Sequence, residues 1–315
     1  MNKSDKIFIA GHRGMVGSAL LRLFKKSGYE NIVTAEKSEL DLTDQKMTAD
    51  FFDAVRPAHV ILAAAKVGGI QANRKYPAEF LYENLVIQNN VIHQCYEKNA
   101  RTIVFLGSSC IYPRECPQPI REEYLLTGPL EPTNEGYALA KIAGLRMAQY
   151  YSKEYGIRAV NPMPCNLYGT NDSFDPEKSH VLSALVKKLV DARDAKTPVV
   201  TMWGSGIARR EFMHVDDLAR AVIFLIFNYG SSEIINVGSG YDISIRELAE
   251  KIALKTGYDG KMKWDTSMPD GMLRKCLDVS KLKALGFEPS ISLDAGIDEM
   301  ITEYKKIKSN KGEVQ

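Results

Sequence analysis

Tyr137 and Lys141 stand four residues apart in a stretch that reads as helix, so a phenol and an ammonium share one helical face. Such a pair suits proton delivery to an alkoxide, because the cation steadies the phenolate that remains. It predicts a phenol whose ionisation drops from about 10 toward neutrality. Lys141 is also placed to hydrogen-bond the ribose of a bound nucleotide. Upstream, an apolar strand over Thr102–Leu106 runs into Gly107-Ser108-Ser109-Cys110. Ser108 is suited to polarise a carbonyl oxygen. Cys110 is suited to remove the acidic proton next to a ketone. If the backbone stays extended, alternation puts Ser108 and Cys110 on one face. His180 follows the polar stretch Asn171–Asp175. It reads either as an acid working opposite Cys110 or as a surface histidine at a helix start.

These residues need a scaffold, and the chain opens with one. A short apolar strand over Lys6–Ala10 meets Gly11-His12-Arg13-Gly14-Met15-Val16-Gly17, and a helix follows from Ser18 to about Lys26. Strand, glycine turn and helix form a dinucleotide loop, with the pyrophosphate at the helix N-terminus. A second strand, Asn31–Ala35, ends at Glu36-Lys37. Glu36 favours the ribose hydroxyls of NAD, whereas Arg13 and Lys37 suit the 2′-phosphate of NADP. Asp41 faces the adenine side or is a solvated turn acid. Ala64 belongs to an alanine run that lets a cofactor lie flat or simply packs tightly. Further strands are expected over His59–Ala64 and Ala159–Met163, with helices over Asn84–Lys98, Tyr137–Tyr155 and Val181–Asp191. This alternation requires right-handed crossovers and a parallel sheet. Pro164-Cys165-Asn166-Leu167 leaves the last of these strands at its C-terminal end, where open sheets bind ligands.

The expected fold class is therefore α/β, a Rossmann-type doubly wound parallel sheet with a smaller, mixed α/β substrate lobe. The nucleotide domain is expected over 1–170, with return segments near 215–240, and the substrate lobe mainly over 171–315. The second half carries three basic pairs, Lys187-Lys188, Arg209-Arg210 and Arg274-Lys275, and an aromatic residue, Trp203. Cations and a flat apolar ring fit a nucleoside diphosphate; solvated surface charge is the plain alternative for each pair.

The 315 residues carry 41 basic and 39 acidic side chains, a net charge of +2, which gives no case for a nucleic-acid partner. No stretch is long and apolar enough to suggest a membrane span, and Met1–Lys6 does not resemble a secretory signal. Five cysteines make no disulfide framework, so a cytoplasmic location is expected. No metal site is expected.

Several runs together resemble one family. They are Ile9–Ala19, Ala63–Ile70, Leu106–Pro113, Glu131–Glu135, Arg210–Asp217 and Trp264–Ser267. The chain is similar over Ile7 to about Ile297 to the GDP-L-fucose synthase family of the extended short-chain dehydrogenase/reductase superfamily. That resemblance implies NADPH-dependent 3,5-epimerisation and 4-reduction of a GDP-linked 4-keto-6-deoxy sugar. It makes Tyr137 the acid for O4, Lys141 its partner, Ser108 the polarising group, Cys110 the epimerisation base and His180 the returning acid. It implies NADP(H) contacts at 11–17, Lys37, Asp41, Ala64, Leu106, Gly107, Ser109, Lys141, 164–167 and His180. It implies substrate contacts at Lys188, Trp203, Arg210 and Asp270. It also implies a homodimer formed through the two long helices.

Departures leave the sugar open. Lysine replaces the usual arginine at Lys188, and an ammonium lacks the bidentate fork. Cys165 and Asp41 stand where threonine and asparagine are usual. A relative acting on another GDP-4-keto sugar, such as a 6-deoxy-heptose, fits these changes. A dehydratase would carry an acid beside Ser108, where Ser109 and Cys110 stand. A non-catalytic NADP-binding regulator would have little need of the whole constellation.

Overall fold

The computed structural model describes residues 1–175, 179–268 and 270–312. The first half builds five strands: β1 (Ile7–Ala10), β2 (Ile32–Val33), β3 (His59–Leu62), β4 (Thr102–Phe105) and β5 (Arg158–Pro164). Between them run α1 (Met15–Lys26), α2 (Gln45–Val55), α3 (Ile70–Lys75), α4 (Pro77–Glu97) and α5 (Glu135–Tyr155). Strands β1, β3 and β4 are buried at every residue, which is why they read as unbroken apolar runs. The strand expected over Asn31–Ala35 is two residues long and only partly buried, as befits the sheet edge.

The second half adds β6 (Asn166–Tyr168), α6 (Val181–Asp194), β7 (Val199–Trp203), β8 (Arg209–His214), α7 (Val215–Asn228) and β9 (Ile234–Val237). It continues with β10 (Asp242–Ser244), α8 (Ile245–Thr256), β11 (Lys261–Asp265), β12 (Arg274–Lys275), α9 (Ser280–Ala284) and α10 (Leu293–Gly312). The large sheet has the order β2-β1-β3-β4-β5-β9, and every pair in it is parallel. In a smaller mixed sheet β8 is flanked by antiparallel β10 and by parallel β12 and β6. Strands β7 and β11 pair separately.

Two hydrophobic clusters follow this division. One surrounds the large sheet and includes Val215, Leu218, Val222 and Leu225 of α7, with Leu277 and Leu282 from much further along the chain. The other joins α6, α8 and α10 through Leu182, Leu189, Leu248, Ile252 and Met300. Among the described residues no helix is long and apolar enough to cross a membrane.

One buried carboxylate links the parts. Glu211 of β8 is fully buried and accepts the backbone N–H of Gly240 at 2.7 Å and of Leu277 at 2.8 Å. Desolvation outweighs these donors and pushes its carboxyl up to about 7, from an ordinary 4.5. The folded chain therefore keeps this proton through a range in which the unfolded chain has lost it. The Glu211 contribution is complete below pH 4.5 and is lost as pH rises through about 7. The shift caps the loss at about 3 kcal/mol. Urea unfolding of wild type and Glu211→Gln at several pH values should show that part of the slope vanish in the variant. Equal slopes would remove the assignment.

Candidate active site

The glycine turn shows which positions serve the fold and which face outward. Gly11 has φ +83°, and a Cβ there would lie 2.6 Å from the Ala64 nitrogen. A Cβ on Gly17 would meet the Gly11 oxygen at 2.1 Å, because α1 starts hard against the turn. Gly14 differs: a Cβ there would touch only the Gly11 oxygen, at 3.5 Å. Gly14 is the N-cap of α1 without a side-chain cap, and the first turn holds no acid. The backbone N–H groups of Met15, Val16 and Gly17 thus have no acceptor within the helix, and anion-binding geometry results. This is a fitting seat for a dinucleotide pyrophosphate.

Beyond the turn, Glu36 is engaged by His12 at 3.3 Å and Arg13 at 2.5 Å, while Lys37 is exposed. Asp41 holds the N–H of Thr43 at 2.9 Å and its hydroxyl at 2.7 Å, and these donors keep its carboxyl below the usual carboxylate range. The segment Pro164-Cys165-Asn166-Leu167 leaves β5 for β6. Cys165 is buried and donates its N–H to Val237, and the Asn166 amide donates to the Glu211 carbonyl.

Strand β4 ends at Leu106-Gly107-Ser108, with Ser109 buried beneath. Lys141, nearly two turns into α5 and 5% exposed, donates to the Leu106 carbonyl at 2.8 Å. Its ammonium lies 5.7 Å from the Tyr137 ring centroid. Desolvation holds the Lys141 ammonium down to about 8. Burial pushes the Tyr137 phenol well above its ordinary value, against a hydrogen bond with Ser108. The expected lowering of the phenol is therefore not produced by the protein's own groups. A phenol held protonated is the state an acid needs before it gives a proton.

The expectation of an extended Ser108–Cys110 segment is overturned. Residues Ser109–Ile111 form a 3-10 turn, which Ser108 caps by accepting the Cys110 N–H at 3.2 Å. A serine two residues before that N–H competes with the strand for it, which favours the turn. Cys110 still faces the centre: it is partly exposed, and its sulfur accepts from the Asn134 amide just ahead of α5 at 3.2 Å. His180 is exposed at the N-cap of α6. Its Nδ1 stands 3.5 Å from a carboxylate oxygen of Asp172, which is buried and also accepts from Ser183.

The three basic pairs divide in a regular way. In each, the first cation meets a carboxylate: Lys187 with Asp191, and Arg209 and Arg274 both with Asp242. The second points elsewhere. Lys188 donates to the Thr201 carbonyl at 2.8 Å, two residues from the half-exposed Trp203. Arg210 donates to the carbonyls of Arg209 and Asp270. Lys275 lies 3.9 Å from the Cys110 sulfur. The Asp270 carboxylate itself holds the Ser205 N–H at 2.8 Å and hydroxyl at 2.7 Å, so its carbonyl rather than its carboxylate meets Arg210.

Four residues escaped the sequence reading. Asp172, Glu211 and Asn134 gave no signal of their own, although Asn134 lies three residues before Tyr137. Lys275 was visible only as one cation of a pair. Asn134 donates to the Cys110 sulfur at 3.2 Å, and its Oδ1 is buried without a protein partner, which suits a ligand hydroxyl.

Gly17→Ala and Gly14→Ala should separate fold from binding. Gly17→Ala should lower the melting temperature by several degrees, on the order of 1–3 kcal/mol of overpacking. Gly14→Ala should melt like wild type yet bind NADPH at least tenfold more weakly by fluorescence titration, about 1.4 kcal/mol. Equal binding by Gly14→Ala would remove the pyrophosphate seat.

Several known proteins are similar to this chain over most of its length. GDP-L-fucose synthase 1 of Arabidopsis thaliana is 51% identical over 310 residues, 98% of this chain and 96% of that protein. GDP-L-fucose synthase of Escherichia coli is 47% identical over 302 residues, 93% and 94% of the two chains. The structure of a GDP-mannoheptose C4 reductase from Campylobacter jejuni with NADP bound is 36% identical, with a TM-score of 0.88 over 97% of this chain and 99% of that one. With residues 7–238 matching its pattern, the chain belongs to the NAD dependent epimerase/dehydratase family.

Proposed function

We propose that this protein is an NADPH-dependent epimerase-reductase that converts GDP-4-keto-6-deoxy-D-mannose to GDP-L-fucose by inverting C3 and C5 and reducing C4. The observation that carries the reading is a partly exposed thiol, Cys110, whose N–H is held by Ser108 at 3.2 Å and whose sulfur accepts from Asn134, just ahead of the helix that carries Tyr137 and Lys141. A plain ketone reductase needs the pair and Ser108 but has no use for a base at that place. Near-complete coverage at 47–51% identity by proteins named as GDP-L-fucose synthases supports the same substrate.

The residues that would hold the cofactor are the 11–17 turn, Arg13, Lys37, Lys141 and the 164–167 segment. NADPH, when bound, supplies a hydride to C4. Glu36, the one residue that favoured NAD, is already engaged by Arg13 and His12. The Arg13–Glu36 contact involves a guanidinium that is 77% exposed, so it is worth no more than about 1 kcal/mol and yields readily to a phosphate.

The chain's own groups then act in order. The C4 ketone acidifies the neighbouring C–H bonds, and Ser108 with Tyr137 steadies the oxygen of the resulting enolate. Cys110 takes the proton from one face and His180 returns one from the other, with Asp172 orienting the imidazole. Once C4 is reduced, Tyr137 protonates O4, and Lys141 stabilises the phenolate. Arg210, Lys188 and Trp203 are the residues proposed to hold the GDP portion.

In heavy water with NADPH and GDP-4-keto-6-deoxy-D-mannose, the product should be GDP-L-fucose deuterated at C3 and C5 by proton NMR. Tyr137→Phe should lower cofactor oxidation by at least about a hundredfold. Reduction without deuterium at either carbon would replace this reading with a plain C4 reductase, the activity named for the Campylobacter jejuni protein.

A homodimer through α4 and α5 belongs to the same proposal. Tyr82, Leu139 and Tyr150 stand on these two helices at 67%, 43% and 63% exposure, a large apolar complement for a free surface. Sedimentation equilibrium should give twice the chain mass, and Leu139→Asp with Tyr150→Asp should return a monomer. A monomeric wild type would end this part of the proposal.

A further inference from the structure

Two groups that the steps above do not use bracket the Cys110 sulfur. The Asn134 amide donates to it at 3.2 Å, and the Lys275 ammonium lies 3.9 Å away. Both are fixed by their backbones. Asn134 ends the 3-10 turn Pro132–Asn134, donates its N–H to Glu131, and leads directly into α5, so it moves with Tyr137. Lys275 sits in β12 opposite Arg210 of β8. The chain after it is held by three bonds: Cys276 N–H to the Gln118 side chain, Ile120 N–H to the Cys276 carbonyl, and Leu277 N–H to Glu211. On the other side Arg274 pairs with Asp242, and alternation along the strand turns Lys275 away from that carboxylate.

We propose that Lys275, with Asn134 as hydrogen-bond donor, holds the negative charge of the Cys110 thiolate and so makes it the epimerisation base. Lys275 is then a positioning residue for proton abstraction, not a diphosphate contact. This deepens the reading of the site given above and rests on it for the sugar step. The step balances without a co-reactant: the C–H bond beside the ketone breaks, its electron pair enters the enolate, and the sulfur gains the proton. The thiolate, unlike the neutral thiol, is basic enough to take it.

The test reads the thiol by itself and then the sugar. Iodoacetamide is neutral, so its rate at Cys110 at pH 7, followed by peptide mass spectrometry, reports the thiolate and not attraction of the reagent. Lys275→Met should slow that rate by about tenfold, as loss of an opposite charge within 4–6 Å implies. Lys275→Gln should do the same, and Lys275→Arg should retain most of the rate. In heavy water, Lys275→Met should lose deuterium wash-in at C3 of the 4-keto sugar through kcat, with KM nearly unchanged. A raised KM with unchanged kcat and unchanged alkylation would make Lys275 a substrate contact and overturn the proposal. If alkylation responds to Lys275 while wild type exchanges no deuterium, the thiol pairing stands and the sugar reading fails.

Discussion

The bond from the Lys141 ammonium to the Leu106 carbonyl is the constraint on which the rest of the site depends. It joins the first turns of α5 to the end of β4, two elements that also pack closely where Gly144 meets the Phe105 ring. A buried ammonium is costly unless it is paired, so this acceptor helps set where the helix sits, together with the Gln88 amide that donates to the Ala140 carbonyl. With α5 fixed there, Tyr137 meets Ser108, and Asn134, just ahead of the helix, meets Cys110. The same desolvation that holds Lys141 down to about 8 holds the Tyr137 phenol up. The two shifts move apart, each favouring the neutral form, so the phenol keeps its proton until a ligand oxygen takes it.

A second constraint acts from the other side. Glu211 lies on β8 beside Arg210, and its two oxygens gather the backbone after β9 and the backbone after β12. The segment carrying Lys275 is thereby set against the turn carrying Cys110, across 165 residues of sequence. The site is thus assembled from two independent supports, a lysine to a carbonyl in the nucleotide half and a carboxylate to backbone N–H groups between the halves. Neither support needs to touch a reacting atom to place one.

These supports also explain how far the sequence could be read. The buried strands and the glycine turn are local: an apolar run buried on both faces and a turn that admits no Cβ show themselves without knowledge of any partner. Tyr137 and Lys141 are legible for the same reason, since helical spacing alone brings them together. The Ser108–Cys110 segment misleads because strand alternation and a serine-capped turn make the same residues plausible, and one hydrogen bond decides between them. The partners of Asp172, Glu211 and Lys275 are invisible because residue type does not say which distant group will be met. Arg274 and Lys275 look alike in sequence, yet one is neutralised by Asp242 and the other faces a thiol. The edge strand β2 shrinks because pairing on one side only leaves it little to bury.

Exposure changes across the site in a way that matches the order of chemistry proposed for it. Lys141 is buried, Tyr137 and Cys110 are partly exposed, and His180 is exposed. Two inversions use the base and the returning acid twice, and after each the thiol must lose a proton and the imidazole must gain one. Groups open to water can reset in this way between the two centres, and the reset lets solvent hydrogen enter the sugar. The phenol acts once, after the hydride has arrived, and has no need to reset until the product leaves. Lys141 behind it is buried, so its charge is little screened from the phenol. The proposed chemistry thus pairs a phenol backed by a buried ammonium with an imidazole open to water.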